Sequence, residues 1–419
     1  MSKRGDVLVG LDIGTSKICV VVAEVNEDGS VEIVGLGKHP SKGLNRGSVV
    51  NIDQTVESIR AAVEEAEFIS GTPIRSAYVG VAGGHIRSFN TNGIVAIKSK
   101  IVTKEDIERV VEQARAVTMP ADHEIIHVLP QEYIVDEQEG ITEPIGMAGV
   151  RLESKVHIVS GAIPAIQNIS RSVERAGLSV ERLVLQPLAS SLAALTEDER
   201  DLGVAVVDIG SGTSDVAVIS GGALRYTAIV PVGGNHVTRD IAIGLRTPDY
   251  QAERIKKEYG CAVAARLAHD DEIEVPSVGG RPPRVLSRQM LAEIIEPRME
   301  EVFTLIRREI QKSGMEDLLP AGVVLTGGAS IMEGIEELAE RVLQLPVRRG
   351  APLGIGGLVD MVNGPMYSTG VGLVIYAMRT TSGARGRRGW LPGGGRNGSS
   401  MSMRTAKDRI RHVLASIFR

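Results

Sequence analysis

The sequence VLVGLDIGTSKICVVV at residues 7–22 returns as VAVVDIGSGTSDVAVI at residues 204–219. In each copy an apolar run reaches an aspartate, Asp12 or Asp208, turns through glycine and small hydroxyl residues, and leaves as a second apolar run. Two such runs around a tight turn read as paired strands. A turn built of glycine leaves backbone N–H groups with no side chain in front of them. Those groups can donate to phosphate oxygens, and Ser or Thr hydroxyls add donors. Two such turns facing each other would clasp a polyphosphate from both sides. A carboxylate beside phosphate is repulsive unless a cation intervenes, and a hydrated Mg2+ between Asp12, Asp208 and phosphate suits that ion's reluctance to lose water. One Asp-x-Gly-Thr turn alone reads as an ordinary hairpin. The second copy, together with LTGGAS at residues 325–330, makes nucleotide binding the better reading. There Gly327, Gly328 and Ala329 would let a flat ring lie against backbone near a helix N-terminus, with Met332 just beyond.

The chain has 419 residues, 43% apolar and 24% charged, with aromatics at only 3%. Its core must therefore come from Val, Ile, Leu and Ala, which favours α/β layers. The two cysteines, Cys19 and Cys261, are far apart in apolar surroundings. No disulfide framework follows, and a reducing compartment is expected. The opening MSKRGD does not read as a signal peptide, and no apolar run reaches the roughly 18 residues of a membrane span. The formal net charge of −5 hides an asymmetry: residues 383–419 carry nine Lys and Arg against one Asp, a net +8, which leaves −13 on the rest. A basic tail on an acidic body seeks an anionic surface.

Along the chain, residues 6–25 read as a hairpin and 31–40 as a third strand. Residues 52–70 have helical spacing and stop at Gly71. From about Gly84 to Val159 the texture changes to long alternating strands and one helix, with Thr103 as its expected N-cap. This reads as an inserted subdomain. Residues 240–312 read as helical, interrupted by PSVGGRPPR, and residues 380–402 as a flexible Gly/Ser/Arg linker. The HEIIH stretch at residues 123–127 fits a zinc-protease pattern, but its β-branched residues and the following Pro130 favour a strand. On a strand, residues four apart lie roughly 13 Å from each other and cannot share one ion. No Ser/His/Asp set is identifiable.

In their order these motifs resemble the actin-like ATPase superfamily, which includes actin, chaperone ATPases, sugar kinases and MreB. The resemblance implies an α/β actin-like (ribonuclease H-like) fold of two similar halves around a nucleotide cleft, with ATP and Mg2+ as cofactors. It implies that Gly14, Thr15, Ser16 and Lys17 meet phosphate from one side, and Gly210, Ser211, Gly212 and Thr213 from the other. Glu253 and Lys256, in AERIKKEYG, correspond to a helix that contacts ribose and base. Gln186 opens the first connecting helix, where the superfamily often holds a water-orienting Gln or Glu. A neutral Gln can position water but cannot take its proton, so slow hydrolysis at best is expected.

The inserted region narrows the resemblance. AYVGVAGGHIRSFNTNGIV, HVLPQEYIVDEQEGITEPIGMAGVRLE and LTEDERDLGVAVVDIGSGTSDVAV are similar to the FtsA family of bacterial cell-division proteins. That resemblance implies the following layout: subdomain 1A at residues 1–83, 163–202 and 363–379; an inserted subdomain 1C at 84–162, on the opposite side from actin's equivalent; subdomain 2A at 203–240 and 306–362; and subdomain 2B at 241–305. It implies further a homopolymer, recruitment of other division proteins, and capture of the FtsZ C-terminal tail around 2B, where Arg288, Glu296 and Arg298 lie. No nucleic-acid partner is expected.

The end of the chain has its own logic. At about 100° per residue, Met403, Ile410, Val413, Leu414, Ile417 and Phe418 fall within one arc of roughly 140°, with arginines on the rest. An amphipathic basic helix at residues 403–419, behind a flexible linker, fits interfacial binding to anionic lipid on the inner face of the cytoplasmic membrane. The expected function is therefore an ATP-binding membrane tether for the division ring. A pilus-assembly scaffold of the PilM type and a small-molecule kinase of the same superfamily are the alternatives.

Overall fold

A computed structural model of the chain describes residues 6–26, 28–268, 271–279 and 281–383. Each copy of the duplicated sequence forms an antiparallel hairpin. Asp6–Ile13 pairs with Lys17–Val25, placing Asp12 opposite Cys19; Val204–Ile209 pairs with Ser214–Ser220, placing Asp208 opposite Asp215. Both hairpins are buried on both faces, which is why they read as nearly unbroken apolar runs.

Each hairpin seeds a mixed sheet. In the first half the order is Ser179–Leu185, Ser76–Val81, Asp6–Ile13, Lys17–Val25, Val31–Pro40 and the short Gly356–Gly357. In the second it is Ala223–Val230, Ser214–Ser220, Val204–Ile209, Val323–Thr326 and Val347–Arg349. The helix Ile52–Ser70 covers the first sheet through Ile59, Ala62, Val63 and Ala66. Asn51 caps its start by accepting from the Gln54 N–H, and Gly71 ends it in the left-handed region at φ 63°.

Two helices, Gln186–Ala194 and Ser368–Gly383, lie between the halves and share one core with both sheets. Leu188, Ala189, Leu192, Val374 and Tyr376 pack there against Val21 of the first sheet and Val206 and Ala217 of the second. They cross closely: a Cβ on Gly372 would stand 1.8 Å from the Ala189 carbonyl oxygen, so only glycine fits. The helix Ser368–Gly383 continues past residue 380. The remainder of the expected linker and the whole 403–419 helix, with Met403, Ile410, Val413, Leu414, Ile417 and Phe418, lie outside the described residues.

The inserted region forms its own four-stranded sheet, in the order Ile86–Ala96, Arg151–Ala162, His123–Val135 and Gln138–Ile141, with the helix Lys104–Arg115 on one face. Thr103 caps that helix in a reciprocal box with Asp106. HEIIH lies on a strand, as its composition predicts, and its histidines diverge: His123 contacts Asp122 while His127 is fully buried. The region expected to be helical around 240–312 contains something the sequence did not reveal. A hairpin of Glu272–Val275 and Arg284–Ser287 flanks the Pro/Gly stretch, and its four-residue strands are too short to register a periodicity.

Candidate functional site

The duplicated turns face each other across a cleft of about 760 Å3 between the halves. Each is closed by the same backbone bond: the Gly14 N–H donates to the Lys17 carbonyl at 3.0 Å, and the Gly210 N–H to the Thr213 carbonyl at 2.9 Å. They also touch. A Cβ on Gly212 would stand 2.8 Å from Thr15 Oγ1 and 3.1 Å from Arg46 Cα, so glycine there allows the halves to approach. Gly14, Thr15, Ser16 and Lys17 line one wall, and Gly210, Ser211, Gly212 and Thr213 the other. The second turn is held from behind by the helix Gly234–Gly244, whose Gly234 and Asn235 N–H groups donate to the Gly210 and Ser211 carbonyls at 2.9 and 2.8 Å.

Three buried carboxylates converge at the cleft floor. Asp12 accepts from Gln186 Nε2 at 3.1 Å and from Lys17 Nζ at 3.4 Å. Burial raises its pKa; the Lys17 charge opposes that and the Asp208 charge adds to it. Asp208 accepts from Ser190 Oγ at 2.6 Å and Thr369 Oγ1 at 3.0 Å, one from each connecting helix. Burial raises its pKa despite those bonds. Asp215 is raised well above the usual carboxylate range, first by burial and then by the charge of Asp208, and its Oδ1 has no hydrogen-bond partner. Converging carboxylates, one of them with an orphaned oxygen, fit a cation brought in with an anionic ligand. Among the described residues no group of three or more His, Cys, Asp or Glu is placed to hold a metal directly. Mg2+ contact through water and phosphate matches that donor set.

At the far end of the cleft stand Glu253, Lys256, Gly327, Gly328, Ala329 and Met332. Lys256 Nζ contacts the Gly234 carbonyl at 2.9 Å, Thr238 Oγ1 at 2.7 Å and Glu253 Oε2 at 2.6 Å. Burial lowers its pKa against the opposing pull of Glu253. Gly327, at φ 86°, brings backbone so close to Asp208 that a Cβ would meet its Oδ1 at 2.3 Å.

All the residues expected at phosphate, metal and adenosine thus line one cavity, with Gln186 at its floor. Other residues in or beside the cavity were not singled out as site residues in the sequence. Asp215 closes the second motif and carried a signal, as did the glycine pair Gly233-Gly234 opening a helix. Ser190 and Thr369 carried none, because they act only through the crossing of two helices. Arg288, expected in a partner-binding stretch, lines the cleft, paired with Asp271 at 3.3 Å and Glu333 at 2.5 Å. Glu296 and Arg298 of that stretch also have partners within the chain, Arg341 and Asp240. No helix among the described residues is long and apolar enough to cross a membrane.

A family model described as cell division protein FtsA matches residues 205–372, and one described as the SHS2 domain inserted in FtsA matches residues 83–160. Cell division protein FtsA of Pseudomonas aeruginosa is 54% identical over 380 residues, covering 91% of each chain. The Escherichia coli K12 protein of that name is 47% identical over 88% of this chain and 90% of its own, and the Bacillus subtilis one 44% over 90% and 84%. Among solved structures, a PilM–PilN type IV pilus biogenesis complex superposes with a TM-score of 0.65 at 18% identity, covering 88% of this chain and 98% of the other. MreB5 of Spiroplasma citri bound to AMPPNP superposes with a TM-score of 0.55 at 15% identity, covering 91% and 99%. At such identities the structural neighbours establish the actin-like fold alone, PilM included. The curated relatives, similar over nearly their whole length, carry the assignment: the chain belongs to the FtsA family of cell-division proteins.

Proposed function

We propose that the protein binds Mg-ATP in the cleft between its halves and, through its C-terminal residues, anchors the division ring to the inner face of the cytoplasmic membrane. The observation that carries the nucleotide reading is the pair of matched turns, closed by the same bond and in contact through Gly212 and Thr15. Gly14 to Lys17 and Gly210 to Thr213 would hold the phosphates. Asp12 and Asp208 would hold a hydrated Mg2+, and Glu253, Lys256, Gly327, Gly328, Ala329 and Met332 the adenosine. The metal would supply charge neutralisation at the phosphates.

Gln186 donates its amide N–H to Asp12, which leaves its carbonyl oxygen to orient a water. It cannot remove that water's proton, so hydrolysis is slow and the nucleotide acts more as a switch than as a fuel. A single amphipathic helix binds membrane reversibly. Self-association into a polymer would turn many weak anchors into one stable attachment. The same polymer would present repeated sites for the FtsZ C-terminal tail and for later division proteins.

Co-sedimentation with anionic vesicles tests this reading, with and without ATP and residues 400–419, followed by addition of FtsZ. The protein should pellet only with its terminal residues present, pellet more with ATP, and bring FtsZ down with it. FtsZ left in the supernatant beside pelleted protein would contradict the tether.

A further inference from the structure

One edge of each main sheet ends against the inserted subdomain. Ser179–Leu185 is an edge of the first sheet and Ala223–Val230 an edge of the second. An edge strand carries unpaired N–H and C=O groups that need partners. One inserted strand, His123–Val135, serves both edges. Fully buried His127 accepts at Nε2 from the Leu185 N–H at 3.0 Å. Four residues on, Gln131 Nε2 donates to the Leu224 and Arg225 carbonyls at 2.9 and 3.0 Å. From the strand Ile86–Ala96, Ser88 Oγ donates to the Thr227 carbonyl at 3.0 Å and Asn90 Nδ2 to the Arg225 carbonyl at 3.2 Å. The inserted subdomain is thus tied to each half by side chains.

Both ties lead to the cleft. Leu185 immediately precedes Gln186, whose amide holds Asp12. Ala223–Val230 is paired with Ser214–Ser220, where Asp215 stands beside Ile229 and across from Asp208. A rearrangement of the Asp12–Gln186 pair around a bound triphosphate would therefore move the group that His127 holds. A change in the angle between the halves would strain the hydrogen bonds of Ser88, Asn90 and Gln131, which give way before packed cores deform.

We propose that His127 is a positioning residue that couples nucleotide occupancy of the cleft to the placement of the inserted subdomain, with the Gln131, Asn90 and Ser88 contacts as its counterpart on the second half. The proposal rests on the nucleotide reading above. Burial holds the His127 pKa down at about 3, so its ring stays neutral and keeps its acceptor at physiological pH. Coupling is reciprocal: if ATP shifts the inserted subdomain, a partner that fixes the subdomain shifts ATP affinity by the same factor.

Backbone hydrogen exchange of residues 86–96 and 123–135 in the full chain, with and without Mg-ATP and alongside calorimetry, tests it. His127→Leu removes the acceptor, His127→Gln supplies another, and Ser88→Ala, Asn90→Ala and Gln131→Leu together remove the side chains of the second tie. Mg-ATP should change exchange in these strands by roughly threefold or more in the wild type and His127→Gln. The response should be lost in His127→Leu and in the triple variant, while both still bind Mg-ATP. A wild-type response persisting in His127→Leu, or in the triple variant should His127→Leu not fold, overturns the coupling. So does wild-type ATP binding with no exchange response at all. Absence of any ATP binding by the wild type instead brings down the nucleotide reading, and this proposal with it.

Discussion

Gln186 Nε2 reaches Asp12 Oδ1 at 3.1 Å across 174 residues of sequence. The bond joins the start of the connecting helix to the end of the first strand and fixes which end of the amide faces the cleft. Gln186→Ala should therefore lower the rate of phosphate release about tenfold or more, some 1.4 kcal/mol of barrier. Mg-ATP affinity should stay within roughly threefold, since Gln186 sits behind the phosphate loops rather than in them. Single-turnover hydrolysis beside calorimetry separates the two effects; an unchanged rate would remove Gln186 from the water-orienting role.

Gly212→Val places carbon where Thr15 Oγ1 and Arg46 Cα already stand. Relief requires the two turns to move apart, so Mg-ATP affinity should fall at least about tenfold. The cores of the halves lie elsewhere, so the cost in stability should stay near 1–2 kcal/mol. Titration calorimetry and thermal unfolding on the same variant read both numbers.

Asp215 gives a pH signature. Its carboxyl is held well above 3.8 by burial and by Asp208, so the folded chain holds this proton more tightly than the unfolded one. The stability this group contributes is full below 3.8 and is lost as pH rises through the raised value. Asp215→Asn removes that loss. The nucleotide-free variant should be about 1–2 kcal/mol more stable than wild type at neutral pH, and its melting temperature should fall less as pH rises. Thermal melts across pH check this, and a variant that melts earlier at neutral pH contradicts it.

Much of this site was legible because it is local. Asp12 to Lys17 and Asp208 to Thr213 are each one turn, and a turn's backbone geometry follows from its glycines and hydroxyls. The strands flanking them, buried on both faces, announce themselves as apolar runs. Ser190 and Thr369, the donors on Asp208, were invisible because nothing in their neighbourhoods marks them. Their role exists only once two helices cross at Gly372 and Ala189. His127 carried a misleading signal: the spacing to His123 suggested a metal, whereas the strand sets one ring beside Asp122 and buries the other against Leu185. The hairpin at Glu272–Val275 and Arg284–Ser287 was hidden by its brevity.

The terminal residues can be tested without reference to the cleft. Replacing Ile410 and Phe418 together by Glu puts two charges into the apolar arc, each costly to place at a lipid boundary. Pelleting with anionic vesicles should be abolished while Mg-ATP binding stays unchanged. A double variant that pellets like wild type would show that this face does not meet lipid.

In the proposed function, Asp12 and Asp208, on matched turns of the two halves, would close around one magnesium-bound triphosphate. Titration calorimetry of Mg-ATP into the intact chain and into Asp208→Ala tests it most directly. The account predicts saturable one-site binding to the wild type and at least about tenfold weaker binding to the variant. No heat with the wild type, or equal affinity in both proteins, would contradict it.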